Sequence, residues 1–141
     1  MDKSKARAYI ILSFVFWIII EYITTWRTNL SVWVSYMPWI LLQYLFIILI
    51  FWFLLFVKNW NYRRVLIAML IIMYGFELLW KNPFLSSPLL FIPGSIVLIQ
   101  LWGFLTFLPY FIIRKSTKQH MISTIFYCLW PVSGLVLAFL I

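Results

Sequence analysis

The chain has 141 residues, 66% of them hydrophobic and 10% charged, with a formal net charge of +8 and a mean hydropathy of +1.05. An ordinary soluble domain is about half apolar and a quarter charged, and a chain this short has too little interior to hide the excess. Composition therefore excludes a water-soluble globule, while the lack of charge, heptads and periodic glycine excludes disorder, coiled coil and collagen.

Apolar runs long enough to cross about 30 Å of hydrocarbon, at about 1.5 Å per residue, predict helices over 8–26, 36–57, 65–80, 93–113 and 121–141. The expected fold is an all-α integral membrane protein, one domain over 1–141 built as a bundle of five transmembrane helices. Apolarity is uniform over about 20 residues instead of alternating over about 10, which argues against a closed β-barrel.

The first run follows Lys3, Lys5 and Arg7, and Glu21 interrupts it where a signal peptide would carry a small-residue cleavage site, so it reads as an uncleaved anchor. In the second, Pro38 is expected near the outer end, where its missing N–H costs little. The third is the shortest, and its flanks Arg63, Arg64 and Lys81 can snorkel to complete a crossing. In the fourth, Pro93 opens the helix and the deeper Pro109 predicts a kink. In the fifth, Pro131 predicts a second kink, beside Ser133 and Gly134, which are expected to let the helix bend or pack closely on a neighbour. Residues 82–88, rich in Pro and Ser, read as an outer loop that dips back towards the interface.

Nine of the 11 basic residues fall on one side of this arrangement: Lys3, Lys5, Arg7, Lys58, Arg63, Arg64, Arg114, Lys115 and Lys118. Arg27 and Lys81 remain on the other, so the positive-inside rule puts the amino terminus in the cytoplasm and the carboxyl terminus outside, in a plasma or cytoplasmic membrane. Short connections leave no room for a soluble domain on either face. The clustering also gives the net charge a topological meaning, and no nucleic-acid partner is expected.

Glu21 and Glu77 are the only acids after Asp2. Ionisable groups within apolar spans are functional candidates by default, because charge in hydrocarbon is expensive. Both are expected about a turn inside the outer helix ends, where water is in reach. The plain reading makes them interfacial ion pairs, Glu77 with Lys81 at the favourable i, i+4 spacing and Glu21 with Arg27. The sharper one makes them a facing pair that binds a cation, exchanges a proton or serves as acid and base.

Both glutamates are followed by Trp, a basic residue and Asn: Trp26, Arg27, Asn29 and Trp80, Lys81, Asn82. They stand 56 residues apart, as do Lys58 and Arg114, a spacing that fits either a duplicated helical hairpin or any two consecutive membrane hairpins.

Trp26, Trp39 and Trp80 on the outer side form an aromatic belt, or the wall of a vestibule for an organic cation. Deeper indoles such as Trp102 need an N–H acceptor, expected from Gln43, Gln100, serine or a backbone carbonyl. Gln43 and Gln100 themselves read as interhelical hydrogen-bond formers or substrate contacts. His120 reads as a solvated helix cap, and the single Cys128 excludes an internal disulfide.

No GxSxG elbow, HExxH, Walker loop or cysteine pair occurs, so catalysis has only the glutamates to rest on, and no cofactor or metal is expected. The sequence is therefore expected to encode a non-catalytic structural or binding component of a membrane assembly. Its expected partners are lipids, other integral membrane subunits or further copies of itself. The alternative is a small carrier or flippase, or an outer-leaflet enzyme acting on a lipid-linked substrate. Its candidate residues are Glu21, Glu77, Arg27, Lys81, Trp26, Trp80, Trp39, Gln43 and Gln100.

Overall fold

The computed structural model describes residues 3–22, 30–79, 82, 85 and 88–138, the side chains of 30, 32, 33, 40, 137 and 138 aside. Among these residues the secondary structure is helical, with no strand. The helices are α1 (Lys3–Glu21), α2 (Leu30–Trp52, continued by a π turn over Phe53–Val57), α3 (Tyr62–Leu79), α4 (Phe91–Arg114), α5 (Met121–Cys128) and α6 (Trp130–Ala138). Two segments, Val34–Val57 and Phe91–Arg114, are long and apolar enough to cross a membrane.

The chain divides into two compact units, Met1–Trp60 and Asn61–Ile141. In the first, α1 packs against α2. Its buried residues Ala6, Tyr9, Ser13, Trp17 and Ile20 recur every three or four positions, the spacing that keeps side chains on one helix face. The Tyr9 ring lies 5.3 Å from that of Phe56, and Trp17 lies 4.5 Å from Tyr44. The helix starts at Lys3, well before the apolar run, because Lys and Arg are good helix formers and the hydrogen-bond ladder does not stop where hydropathy does.

The helix α2 starts at Leu30, not 36, its hydrogen-bond ladder likewise running past the bounds read from hydropathy. Pro38 is therefore inside the helix instead of in its first turn, and it removes the bond that an N–H there would make to the Val34 carbonyl. The far end widens into the π turn, where the Lys58 N–H reaches the Phe53 carbonyl at 2.9 Å. Asn59 then takes a left-handed φ of 50°, which asparagine tolerates better than most residues, and ends the helix.

The second unit is built on α4, which packs against α3, α5 and α6. Asn61 caps α3: its Oδ1 accepts the Arg64 N–H at 3.0 Å and its carbonyl accepts that of Val65 at 3.1 Å. Val65, Met69 and Met73, four residues apart, form the buried stripe of α3. Within the 82–88 segment, Leu85 is buried and donates its N–H to the Asn82 carbonyl at 3.0 Å.

Pro109 does not interrupt α4, which runs unbroken to Arg114. Pro131 does more than kink the last segment: the chain leaves the helix at Leu129 and resumes at Trp130, so the described residues of this segment, 121–138, form two helices. Pro131 lies in the first turn of α6 and cannot donate to the Tyr127 carbonyl, so the break falls just before it.

Candidate functional site

Glu77 is the third-last residue of α3, and both of its carboxyl oxygens accept hydrogen bonds. Asn82 Nδ2 donates to Oε2 at 2.6 Å, and Trp102 Nε1 donates to Oε1 at 2.9 Å. The Asn82 backbone N–H also reaches the Glu77 carbonyl at 2.9 Å, so one residue beyond the helix satisfies both its last turn and its acid. Trp102 is held in place by burial and by Phe76, ring to ring at 6.2 Å.

Glu21 has an analogous setting at the end of α1. The Tyr44 hydroxyl donates to its Oε2, and the Tyr44 ring rests on Trp17. Each unit thus repeats one device: an acid near the end of the shorter helix bound by an aromatic donor of the longer helix that follows. Tyr44 and Trp102 each lie near the middle of that helix, and they are 58 residues apart where the acids are 56 apart.

The other candidates are dispersed. Trp39 is 69% exposed on α2, while Gln43 is half-buried on the same helix. Gln100 is buried on α4, yet its Oε1 has no hydrogen-bond partner among the described residues, so that oxygen does not bind a neighbouring helix. Two residues before Trp102, it also points about 200° away around the helix. Trp26, Arg27, Trp80 and Lys81 lie outside the described residues, and with them the expected pairs of Glu77 with Lys81 and Glu21 with Arg27. Among the described residues no group of three His, Cys, Asp or Glu side chains is placed to hold a metal ion.

Three expectations are corrected. The acceptor of the Trp102 N–H is Glu77, not a glutamine, serine or carbonyl, because the shorter α3 ends against the middle of α4. His120 is the cap residue of α5 but is not solvated: its carbonyl accepts the Thr124 N–H at 2.8 Å, and its ring makes no capping bond but is half-buried and stacked on Phe111, with centroids 4.4 Å apart and rings within 8° of parallel. Near Gly134 the segment breaks, one of the two roles expected there, and the close packing lies at Gly103 instead. A Cβ on Gly103 would come within 2.2 Å of the Tyr127 ring, whereas one on Gly134 would meet nothing within 4 Å.

The second unit holds a further polar cluster that the sequence did not disclose. The Tyr62 hydroxyl donates to Ser123 Oγ at 3.2 Å and lies 2.6 Å from the Tyr127 hydroxyl. When Tyr62 gives its one proton to Ser123, Tyr127 supplies the proton between the two phenols. Phe107 stacks on Tyr127 at 5.8 Å and meets the edge of Tyr62 at 4.8 Å, which joins α3, α4 and α5.

No protein-family model, curated protein or solved structure matches the chain.

Proposed function

We propose that the chain is a small multi-pass membrane protein, a non-catalytic structural or binding component of a larger membrane assembly. The observation that carries the reading is the engagement of both acids as acceptors for a neighbouring helix, Glu21 by Tyr44 and Glu77 by Trp102. These are the only acids on which catalysis or ion exchange would rest, and each is used to hold a hairpin together.

The membrane part rests on inverted polarity. Gln100, Ser13 and Thr106 are buried, while Ile122, Leu79 and Leu89 are each more than 80% exposed. Only 29% of the most apolar window in Val34–Val57 is buried, whereas the core helix of a soluble protein is mostly covered. On this reading α1, α2, α3, α4 and the broken pair α5–α6 make five crossings, with the amino terminus in the cytoplasm. Partners are lipids and other integral membrane subunits or further copies of the chain.

Native mass spectrometry of the protein, gently extracted from its own membranes, tests the proposal. A stable heteromeric mass is the expected result. A lone monomer or homo-oligomer carrying a small ligand would overturn it in favour of a carrier, flippase or lipid-linked-substrate enzyme. One observation favours that second reading: the Glu77 carboxyl is bonded to the buried Trp102 of α4 within an otherwise apolar helix pair, and an ionisable group in such a setting is a functional candidate.

A further inference from the structure

The unit Asn61–Ile141 contains six Lys and Arg residues and one acid, Glu77. Five of the six cations gather at one end. The Tyr62 ring, at the start of α3, lies 5.8 Å from Phe111 near the end of α4 and 5.3 Å from His120 just before α5. Arg63 and Arg64 follow Tyr62, Arg114 and Lys115 come three and four residues after Phe111, and Lys118 precedes His120 by two. All five are exposed.

The turn that assembles them is built into the chain. Lys115 takes a left-handed φ of 54° and donates to the Ile112 carbonyl at 3.1 Å, while the Ser116 N–H reaches Phe111 at 2.9 Å. This closure reverses the chain and returns residues 116–120 across the end of α4, where His120 stacks on Phe111. Glu77 is 15 residues along α3 from Tyr62, about 22 Å, so it does not neutralise this end. Arg63 and Arg64 also occupy the first turn of α3, which holds no acid and where the macrodipole disfavours cations. Helix stability does not account for their placement; an anion would offset it.

We propose that this end, through Arg63, Arg64, Arg114, Lys115 and Lys118, binds the headgroup of an anionic phospholipid. Exposed aliphatic side chains accompany the cations at this end: Ile67 lies one turn after Arg64 on the same face of α3, and Ile112 and Ile122 are exposed near the end of α4 and at the start of α5. A free phosphate or a nucleic acid uses the cations alone, whereas a phospholipid uses the cations and the aliphatic collar together. The assignment rests on the membrane reading given above and adds a lipid class and a place to it.

The test uses the full chain. Washing its membranes with alkaline carbonate first asks whether it is integral; release into the soluble fraction would sink the membrane reading itself. The retained protein, in uncharged detergent, is then titrated with phosphatidylglycerol or with phosphatidylcholine of the same acyl chains, and lipid adducts are counted by native mass spectrometry. Phosphatidylglycerol is expected to bind about tenfold more tightly, in line with contributions of up to about 1 kcal/mol per cation. Combined Arg63→Gln, Arg64→Gln and Lys118→Gln substitutions are expected to abolish the preference, and Lys118→Gln alone, on an exposed loop, to reduce it. Removing as much charge with Lys3→Gln, Lys5→Gln and Arg7→Gln is expected to preserve it. Equal binding of the two lipids, equal loss in both triple variants, or displacement by millimolar inorganic phosphate would each overturn the proposal while leaving an integral protein integral.

Discussion

Gly103 carries more of the packing than its lack of a side chain implies. Any Cβ at this position enters the Tyr127 ring, which is itself 2% exposed and bonded to Tyr62. Gly103→Ala is therefore expected to push α5 from α4 and to destabilise the fold by about 1–3 kcal/mol, the usual cost of overpacking. Thermal unfolding in detergent measures it, and combining Gly103→Ala with Tyr127→Ala should recover part of the loss. An unchanged melting temperature in the single variant would mean that the ring moves aside freely. Trp102 offers a complementary case, in which the ring can be kept and only a donor removed. Trp102→Phe leaves Glu77 Oε1 without its indole partner and should cost about 1–3 kcal/mol, read by the same melting experiment. Stability equal to the parent would show that the bond contributes nothing and would weaken the structural reading of Glu77.

At the scale of elements, the repeated device matters more than either bond. A carboxyl at the end of α1 or α3 is bound by an aromatic donor near the middle of α2 or α4, so each hairpin is fastened where a short helix ends against a long one. At an offset of 56 the residue corresponding to Tyr44 is Gln100, not Trp102, so the two halves share an arrangement and not the register of a duplicated hairpin. The break before Pro131 has a different origin, the loss of one backbone donor. Pro131→Ala restores an N–H for the Tyr127 carbonyl and is expected to join α5 to α6. Gaining one hydrogen bond, about 1 kcal/mol, should slow amide hydrogen exchange around Leu129 roughly fivefold. Unchanged exchange would place the cause of the break in packing against α4 rather than in proline.

For the whole molecule, the proposed orientation sets the measurement. With Cys128 replaced by Ala, single cysteines at Asn29 and Ser86 are expected to react with an impermeant thiol reagent added outside intact cells. Reaction only from the cytoplasmic side would reverse the orientation derived from the basic residues.

Helix content was legible before any coordinates, because uniform apolar runs of about 20 residues leave the backbone only one way to satisfy its hydrogen bonds within each segment. The boundaries were less so. Lys3 and Leu30 begin helices beyond the apolar runs, since propensity and the hydrogen-bond ladder set an end that hydropathy does not mark. The position of the last break was readable from Pro131, whose effect is local, although its depth was not. Glu21 and Glu77 stood out as rare acids, but their partners Tyr44 and Trp102 are 23 and 25 residues away and depend on where one helix ends along another. Gly103 against Tyr127, and His120 against Phe111, belong to the same class. Composition and local backbone chemistry fix the helices because each hydrogen-bonds mainly to itself; only tertiary structure decides which side chains meet, because that depends on the tilt and depth at which the helices pack.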